Sequence, residues 1–281
     1  MRIFLTGASS PLGELVVPRL AATHDVVALA RSSRAAELAE RRGARVVLGS
    51  IEEPSSWGDD ARQADAVVHL AGMRFAEAVA AHVGDLQPLT VIGSASARNP
   101  AHPLSSALRL TEEALRVRKP RALVVLRPTM IYGATGDKTM RLLARAIARV
   151  PAVPRFIGGG RVQPVFADDV ADAIFATVGH TGRLEADLGG PAAVRLGELV
   201  FELARLLDRR VIPIPVPVLA LTRLSAIASR IQTSRGLHAL DMLRHDRAVT
   251  TPDGGVVEHT PIPLRDGLTI AVGRYRAAGT L

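Results

Sequence analysis

A chain of 281 residues, 48% hydrophobic and 22% charged, is long enough for one large domain or a domain with a second lobe and can bury a sizeable core. It contains no cysteine, which excludes disulfides, thiolate catalysis and cysteine–metal sites and fits a reducing, cytoplasmic setting. Its net charge of +8 rests on arginine, since Lys119 and Lys138 are the only lysines; the arginines are scattered, the one helix-face stripe (Arg141, Arg145, Arg149) has no aromatic platform, and no nucleic-acid partner is expected.

The chain opens on M-R-I-F-L-T-G-A-S-S-P-L-G, residues 1–13. An apolar strand (Ile3, Phe4, Leu5) runs into Thr6-Gly7, passes two serines and Pro11, and enters a helical pattern at Leu12-Gly13. A strand, a tight glycine turn and a helix N-terminus leave unpaired backbone N–H groups beside the positive end of a helix dipole, which is an anion site of the kind that holds dinucleotides. Strand chemistry beginning at Arg2 leads us to expect no signal peptide. Pro18 lies inside the first helical pattern and is expected to kink or shorten it, because it lacks the N–H donor.

Further strands are predicted at 26–30, 45–48, 66–70, 89–93 and 122–126, with a polar helix to residue 42, a short helix at 74–82 and helix formers over 94–118. Apolar strands without polar alternation, separated by helices, predict a parallel sheet covered on both faces, the doubly wound α/β arrangement. After residue 150 the pattern changes. Pro151, Pro154 and Gly158-Gly159-Gly160 predict a loop over 151–165, broken by a short strand at 162–166. A helix capped by Asp168 or Asp169 should end before Gly179. A strand at 184–188, the turn Gly189-Gly190-Pro191 and an amphipathic helix at 196–207 follow, and beyond Pro213 the pattern reads as helical to about residue 245. The apolar run 211–221 is short and carries Pro213, Pro215 and Pro217, so no transmembrane segment is expected. Residues 1–190 are therefore read as a dinucleotide-binding domain of the Rossmann type and 191–281 as a smaller, mostly helical lobe, joined by the 151–165 loop.

Several segments, in order, resemble the short-chain dehydrogenase/reductases, in their extended and atypical branches related to NAD-dependent epimerase/dehydratases. Thr6-Gly7-Ala8-Ser9-Ser10-Pro11-Leu12-Gly13 is similar to the T-G-x-x-G-x-x-G turn of that family, and His69-Leu70-Ala71-Gly72 to the end of its fourth strand. Arg127-Pro128-Thr129-Met130-Ile131-Tyr132-Gly133 is similar to its R-P-x-x-x-Y-G segment, Val165 to Ala171 to V-x-V-x-D-V-A, and Leu188 to Pro191 to the turn after it.

The resemblance implies a Rossmann fold and an NAD(P) cofactor held by Thr6, Gly7, Ser9, Ser10, Pro11, Leu12, Gly13, Leu70, Ala71, Gly72, Arg127 and Pro128. Ser10 stands where the middle glycine of the family approaches the pyrophosphate, and is read either as crowding the phosphates or as a helix N-cap with Pro11 at the first helical position. At the end of the second strand, Arg31-Ser32-Ser33-Arg34 offers cations and hydroxyls, with no carboxylate before Glu37. An acidic residue there suits the ribose of NAD and an arginine suits the 2′-phosphate of NADP, so Arg31, Ser32 and Arg34 favour NADP, with NAD as the alternative. Ser50 marks the expected adenine neighbourhood.

Family members that transfer hydride use a serine or threonine after the fifth strand and a Tyr-x-x-x-Lys on the next helix, where the ammonium lowers the phenol pKa. Ser94 fills the first role, with Ser96 as the other register. Counting back from Glu113 as the family's helix glutamate puts Ser105 at the tyrosine position and Arg109 at the lysine position, so the pair is absent. The only tyrosines, Tyr132 and Tyr275, have Gly136 and Gly279 four residues on. Three readings remain: an oxidoreductase acting on an unidentified carbonyl or sugar-type substrate with another acid, for which Tyr132 and His238 are candidates; a non-catalytic NADP-binding sensor or structural protein; or a partner-binding protein using the apolar segment 211–224, which as a ligand contact would suit a hydrophobic substrate. Pairs of helices dimerise in many relatives, so a homodimer is allowed.

Overall fold

A computed structural model describes residues 1–100, 102–119, 121–158, 160–218 and 260–281. In chain order the strands are β1 (Arg2–Thr6), β2 (Asp25–Ala30), β3 (Arg45–Leu48), β4 (Ala66–His69), β5 (Leu89–Ile92), β6 (Leu123–Pro128), β7 (Met130–Tyr132), β8 (Ala152–Ile157), β9 (Arg161–Val162), β10 (Pro164–Phe166), β11 (Arg183–Leu188), β12 (Val194–Arg195) and β13 (Ile212–Pro217). The described α-helices are α1 (Gly13–Ala21), α2 (Ser33–Arg41), α3 (Gly58–Arg62), α4 (Ala76–Ala80), α5 (Ser105–Arg118), α6 (Met140–Ile147), α7 (Ala167–Thr177), α8 (Leu196–Leu206) and α9 (Leu264–Ala277).

Two compact units result. Among the described residues the first holds Met1–Pro128 and Ala167–Leu188. Its sheet has seven parallel strands in the order β11-β6-β5-β4-β1-β2-β3. The order reverses between β1 and β4, so the loops after these two strands diverge and leave a crevice at their C-terminal ends. The central strands are buried on both faces, Ile3, Phe4 and Leu5 being fully inaccessible, whereas the edge strands β3 and β11 are partly exposed. Phe4 packs into a cluster with Trp57, Val79, Leu115 and Val125, and stacks on Trp57 at 5.6 Å. α1 packs on α7 and α4 on α5. Pro18 is accommodated within α1, which spans only nine residues.

The second unit holds Thr129–Phe166, the described part of Gly189–Thr250, and Thr260–Leu281. It thus takes in the whole segment from Thr129, more than the 151–165 loop that the sequence suggests. Its core joins Tyr132, Met140, Phe166, Leu203, Leu268 and Tyr275. The expected loop is itself corrected, since residues 152–157 form β8, paired in parallel with β13. So is the start of the expected helix beyond Pro213, where β13 runs to Pro217; the remainder of that helix lies outside the described residues. The reason is the spacing of the prolines. Ile212 N donates to Pro151 O at 2.9 Å, so the even-numbered residues of β13 turn their peptide groups toward β8. Pro213, Pro215 and Pro217, which have no N–H, fall on the outward edge, where no ladder bond is forfeited. Among the described residues no helix is long and apolar enough to cross a membrane.

Candidate functional site

The turn after β1 begins at Gly7, whose φ of +82° is open to glycine at no steric cost. A Cβ at this position would lie 2.6 Å from the carbonyl carbon of Leu70 and 2.7 Å from the nitrogen of Ala71, so the turn after β1 rests directly on the turn after β4. At Gly13 a Cβ would lie 2.5 Å from Ala8 O, and only a glycine lets α1 start beneath the turn. Between them, Ser10 N donates to Gly7 O at 2.9 Å, Glu14 N donates to Ser10 O at 3.1 Å, and the Ser10 hydroxyl accepts from Gly13 N at 3.0 Å. Ser10 is the functional N-cap of α1, satisfying a donor that is otherwise orphaned.

His69 ties the two turns together. It is 1% exposed, its Nδ1 lies 2.7 Å from the Thr6 hydroxyl and its Nε2 lies 2.9 Å from the carbonyl oxygen of Gly72. A carbonyl only accepts, so Nε2 carries the proton and Nδ1 accepts from Thr6. Burial pushes the imidazole below its usual pKa against a smaller opposing effect of the Gly72 carbonyl, and it is held neutral.

Above this floor lies a cleft of about 490 Å³, within the range of small-molecule sites. Of the residues expected to hold a cofactor, Thr6, Gly7, Ser9, Ser10, Arg31, Ser50, Leu70, Ala71 and Gly72 line it. Pro11, Leu12, Gly13, Ser32, Arg34, Arg127 and Pro128 do not. Pro11, Leu12 and Gly13 start the helix beneath the turn, while the Ser32 hydroxyl caps α2 by accepting from Ala35 N at 3.3 Å. Arg34 is exposed on the first turn of that helix.

Arg127, expected to hold the cofactor, is instead placed among carboxylates rather than in the lining of the cleft. It is fully buried and forks onto Glu112, with Nε and Nη2 each 2.8 Å from a carboxylate oxygen. It also reaches Glu185 at 2.5 Å and Asp187 at 3.3 Å. Burial alone would lower its pKa, but these hydrogen bonds overcome that and raise it. The Arg116 guanidinium, with Arg127 and Arg183, holds Glu185 far below the carboxylate range.

The sequence missed Arg74 and Phe75, which line the cleft with the guanidinium stacked 4.4 Å from the ring centroid, and Glu52, a carboxylate on the β3 side. A polar-aromatic pair four residues beyond a predicted strand is a signal that only the crevice makes meaningful. Among the described residues Arg31 forms no ion pair and is exposed at the cleft.

Ser94 follows β5 and caps a short 3-10 turn by accepting from Ser96 N at 3.2 Å, which leaves its own O–H as a donor. Glu113, the residue from which the tyrosine and lysine positions were counted, is exposed, whereas Glu112 is the buried partner of Arg127. Counting from Glu112 moves those positions to Leu104 and Leu108, which supplies no phenol or ammonium either. Ser105 is buried with its hydroxyl donating to Ala97 O at 3.0 Å. Lys119 is buried and its ammonium donates to the carbonyls of Gly84 and Gln87.

In the second unit both phenols are buried. Tyr275 donates to Asp137 at 2.8 Å and accepts from Gly133 N at 3.2 Å. Burial first, then the Asp137 charge, raises its pKa well above the usual phenol value, so it stays protonated. The Tyr132 hydroxyl lies 3.5 Å from Leu264 O and packs against the backbone of Gly267. His238 and residues 219–224 of the apolar segment lie outside the described residues. This unit has its own cleft of about 530 Å³, lined by Arg155, Phe156, Arg195, Phe201 and Pro213.

Residues 3–92 match the family model described as NAD dependent epimerase/dehydratase family. No curated protein matches the chain in sequence. Among solved structures, the triphenylmethane reductase of a Citrobacter species, complexed with NADP(H), is 20% identical with a TM-score of 0.73, covering 96% of this chain and 100% of its own. The UDP-glucose 4-epimerase of Thermotoga maritima, with UDP-glucose, is 17% identical with a TM-score of 0.74, covering 99% of each chain. The corresponding enzyme of Stenotrophomonas maltophila, with bound NAD, is 15% identical with a TM-score of 0.76, covering 100% and 99%. Residues 3–92, about a third of the chain, thus match the epimerase/dehydratase family model, and the chain has the Rossmann-type fold of these solved structures.

Proposed function

We propose that the chain binds NADP in the cleft between the turns after β1 and β4 and serves as an oxidoreductase on a small carbonyl or sugar-type substrate. The observation that carries the cofactor choice is Arg31, an exposed cation with no ion pair among the described residues, lining the cleft at the end of β2, where a carboxylate would suit NAD. The cradle fits the group: a backbone turn admits no Cβ at Gly7, and the spare Ser9 N–H lies in the cleft beside a helix N-terminus, where an anion is favoured. Arg31 would hold the 2′-phosphate, and Ser50 with Phe75 the adenine end. When bound, the nucleotide supplies a hydride. Ser94 would donate its free O–H to the substrate oxygen. Solved neighbours bound to NAD and to NADP(H) support either cofactor on this fold. In the second unit, Phe156, Phe201 and Pro213 beside Arg155 and Arg195 suit a small molecule with apolar and anionic parts.

A second reading, an NADP-binding protein without turnover, is favoured by the commitment of Ser105 to Ala97 O and by the burial of both phenols. Titration with NADPH and NADH, followed by melting temperature, tests the shared part: a raised melting temperature with NADPH is expected, and none at millimolar nucleotide overturns both readings. Arg31→Ser should weaken NADPH at least tenfold and leave NADH unchanged; equal losses would remove the assignment to NADP. Turnover of carbonyl compounds that is lost in Ser94→Ala separates oxidoreductase from sensor. We also propose that the chain forms a homodimer through the outer face of α5, where Leu110 and Val117 remain 71% and 78% exposed.

A further inference from the structure

Arg42 follows α2, and its Nη1 donates to the carbonyl oxygen of Ala8 at 2.5 Å. Ala8 is the second residue of the glycine turn, thirty-four positions away in sequence. The peptide that joins Ala8 to Ser9 is planar and trans, so fixing the carbonyl on one side directs the Ser9 N–H to the other. Ser9 lines the cleft. Its neighbours' donors are already used, Ser10 N on Gly7 O and Gly13 N on the Ser10 hydroxyl, whereas the Ser9 N–H has no acceptor among the described residues. The turn therefore presents a spare donor whose direction is set from behind by Arg42.

The same side chain brings a charge. Arg42 is partly buried and forms no ion pair with any described carboxylate; the Glu14 carboxylate acts on it only at longer range. A cation that is desolvated and not neutralised by a partner keeps its field for whatever anion sits over the turn.

We propose that Arg42 is a positioning residue for anion binding at the glycine turn, holding the Ala8–Ser9 peptide so that its N–H faces the ligand and backing the turn with a positive charge. This rests on reading the cleft as a dinucleotide site. Arg42 does not touch the ligand in this role, which distinguishes it from Arg31.

The test compares the whole chain with Arg42→Met, Arg42→Gln and Arg42→Lys by calorimetric titration with NADPH and with ADP, at low and at physiological salt, well below the melting temperatures. The neutral variants should bind both nucleotides at least tenfold more weakly, and their affinity for ADP, which lacks the 2′-phosphate assigned to Arg31, should lose most of its dependence on salt. Arg42→Lys should recover the salt dependence. If Arg42→Met does not fold, Arg42→Gln, which keeps a donor but no charge, makes the same comparison. Affinity equal to the unaltered chain in a folded neutral variant, with only a lower melting temperature, assigns Arg42 to folding alone and overturns the proposal while leaving the cofactor reading intact. Failure of the unaltered chain to bind either nucleotide overturns both.

Discussion

At the scale of single residues, His69 couples the site to pH. Its folded-state pKa is depressed by burial, so below about 6.5, the ordinary histidine value, the unfolded chain takes up a proton that the native chain refuses. Stability should therefore fall as pH drops through this window, by up to about 1.4 kcal/mol per pH unit from this group. Melting curves between pH 7.5 and 5 check it: the decline should be shallower in His69→Gln, which loses the titrating ring but keeps polar groups for Thr6 and Gly72. An identical slope in the two proteins would remove His69 from the account. The histidine was legible as part of H-L-A-G, but its partners were not. Thr6 lies 63 residues away, and only the parallel register of β1 on β4 brings it opposite. Ser10 was more readable, because a serine followed by proline and three residues before a packed glycine carries the local chemistry of a helix start.

Among elements, the sheet strands were readable because each is a continuous apolar run with a turn signal at its end. β8 and β13 were not, since Pro151 and Pro154 read as loop signals and the apolar stretch beyond Pro213 reads as helical. The alternation I-P-I-P-V-P did carry the information: prolines at every second position are incompatible with a helix interior but harmless along one edge of a strand. α5 shows the converse limit. Its periodicity was clear, yet Glu112 and Glu113 are adjacent, and which one faces inward depends on Arg127 arriving from β6. That pairing makes a prediction. Arg127→Met leaves Glu112 and the nearby Glu185 and Asp187 without their shared cation and should cost about 3–5 kcal/mol, measured by urea unfolding. Glu112→Leu should cost less, because Arg127 retains the other two carboxylates. A larger loss for Glu112→Leu than for Arg127→Met would reverse this picture of the network.

For the whole molecule, the proposed homodimer rests on the outer face of α5. Leu104, Ala107, Leu110, Ala114 and Val117 recur at helical spacing on the side away from the buried Ser105, Glu112 and Leu115. The stripe is self-complementary. A two-fold axis beside Leu110 and Thr111, with the helices antiparallel, sets Leu104 opposite Val117 and Ala107 opposite Ala114, and brings Arg109 within one residue of the level of Glu113 of the second copy. Small alanines between the larger residues let the helices approach, and Arg109, which has no ion pair among the described residues, gains a carboxylate. Sedimentation equilibrium at tens of micromolar should return twice the 29.8 kDa of one chain. Leu110→Glu with Val117→Glu should give a monomer whose circular dichroism and NADPH affinity are unchanged, because neither residue lines the cleft. Arg109→Glu should weaken the dimer, and adding Glu113→Arg should restore it, since the exchanged charges again face one another across the axis. A monomeric unaltered chain, or a double exchange no better than the single one, would rule out this face as the contact.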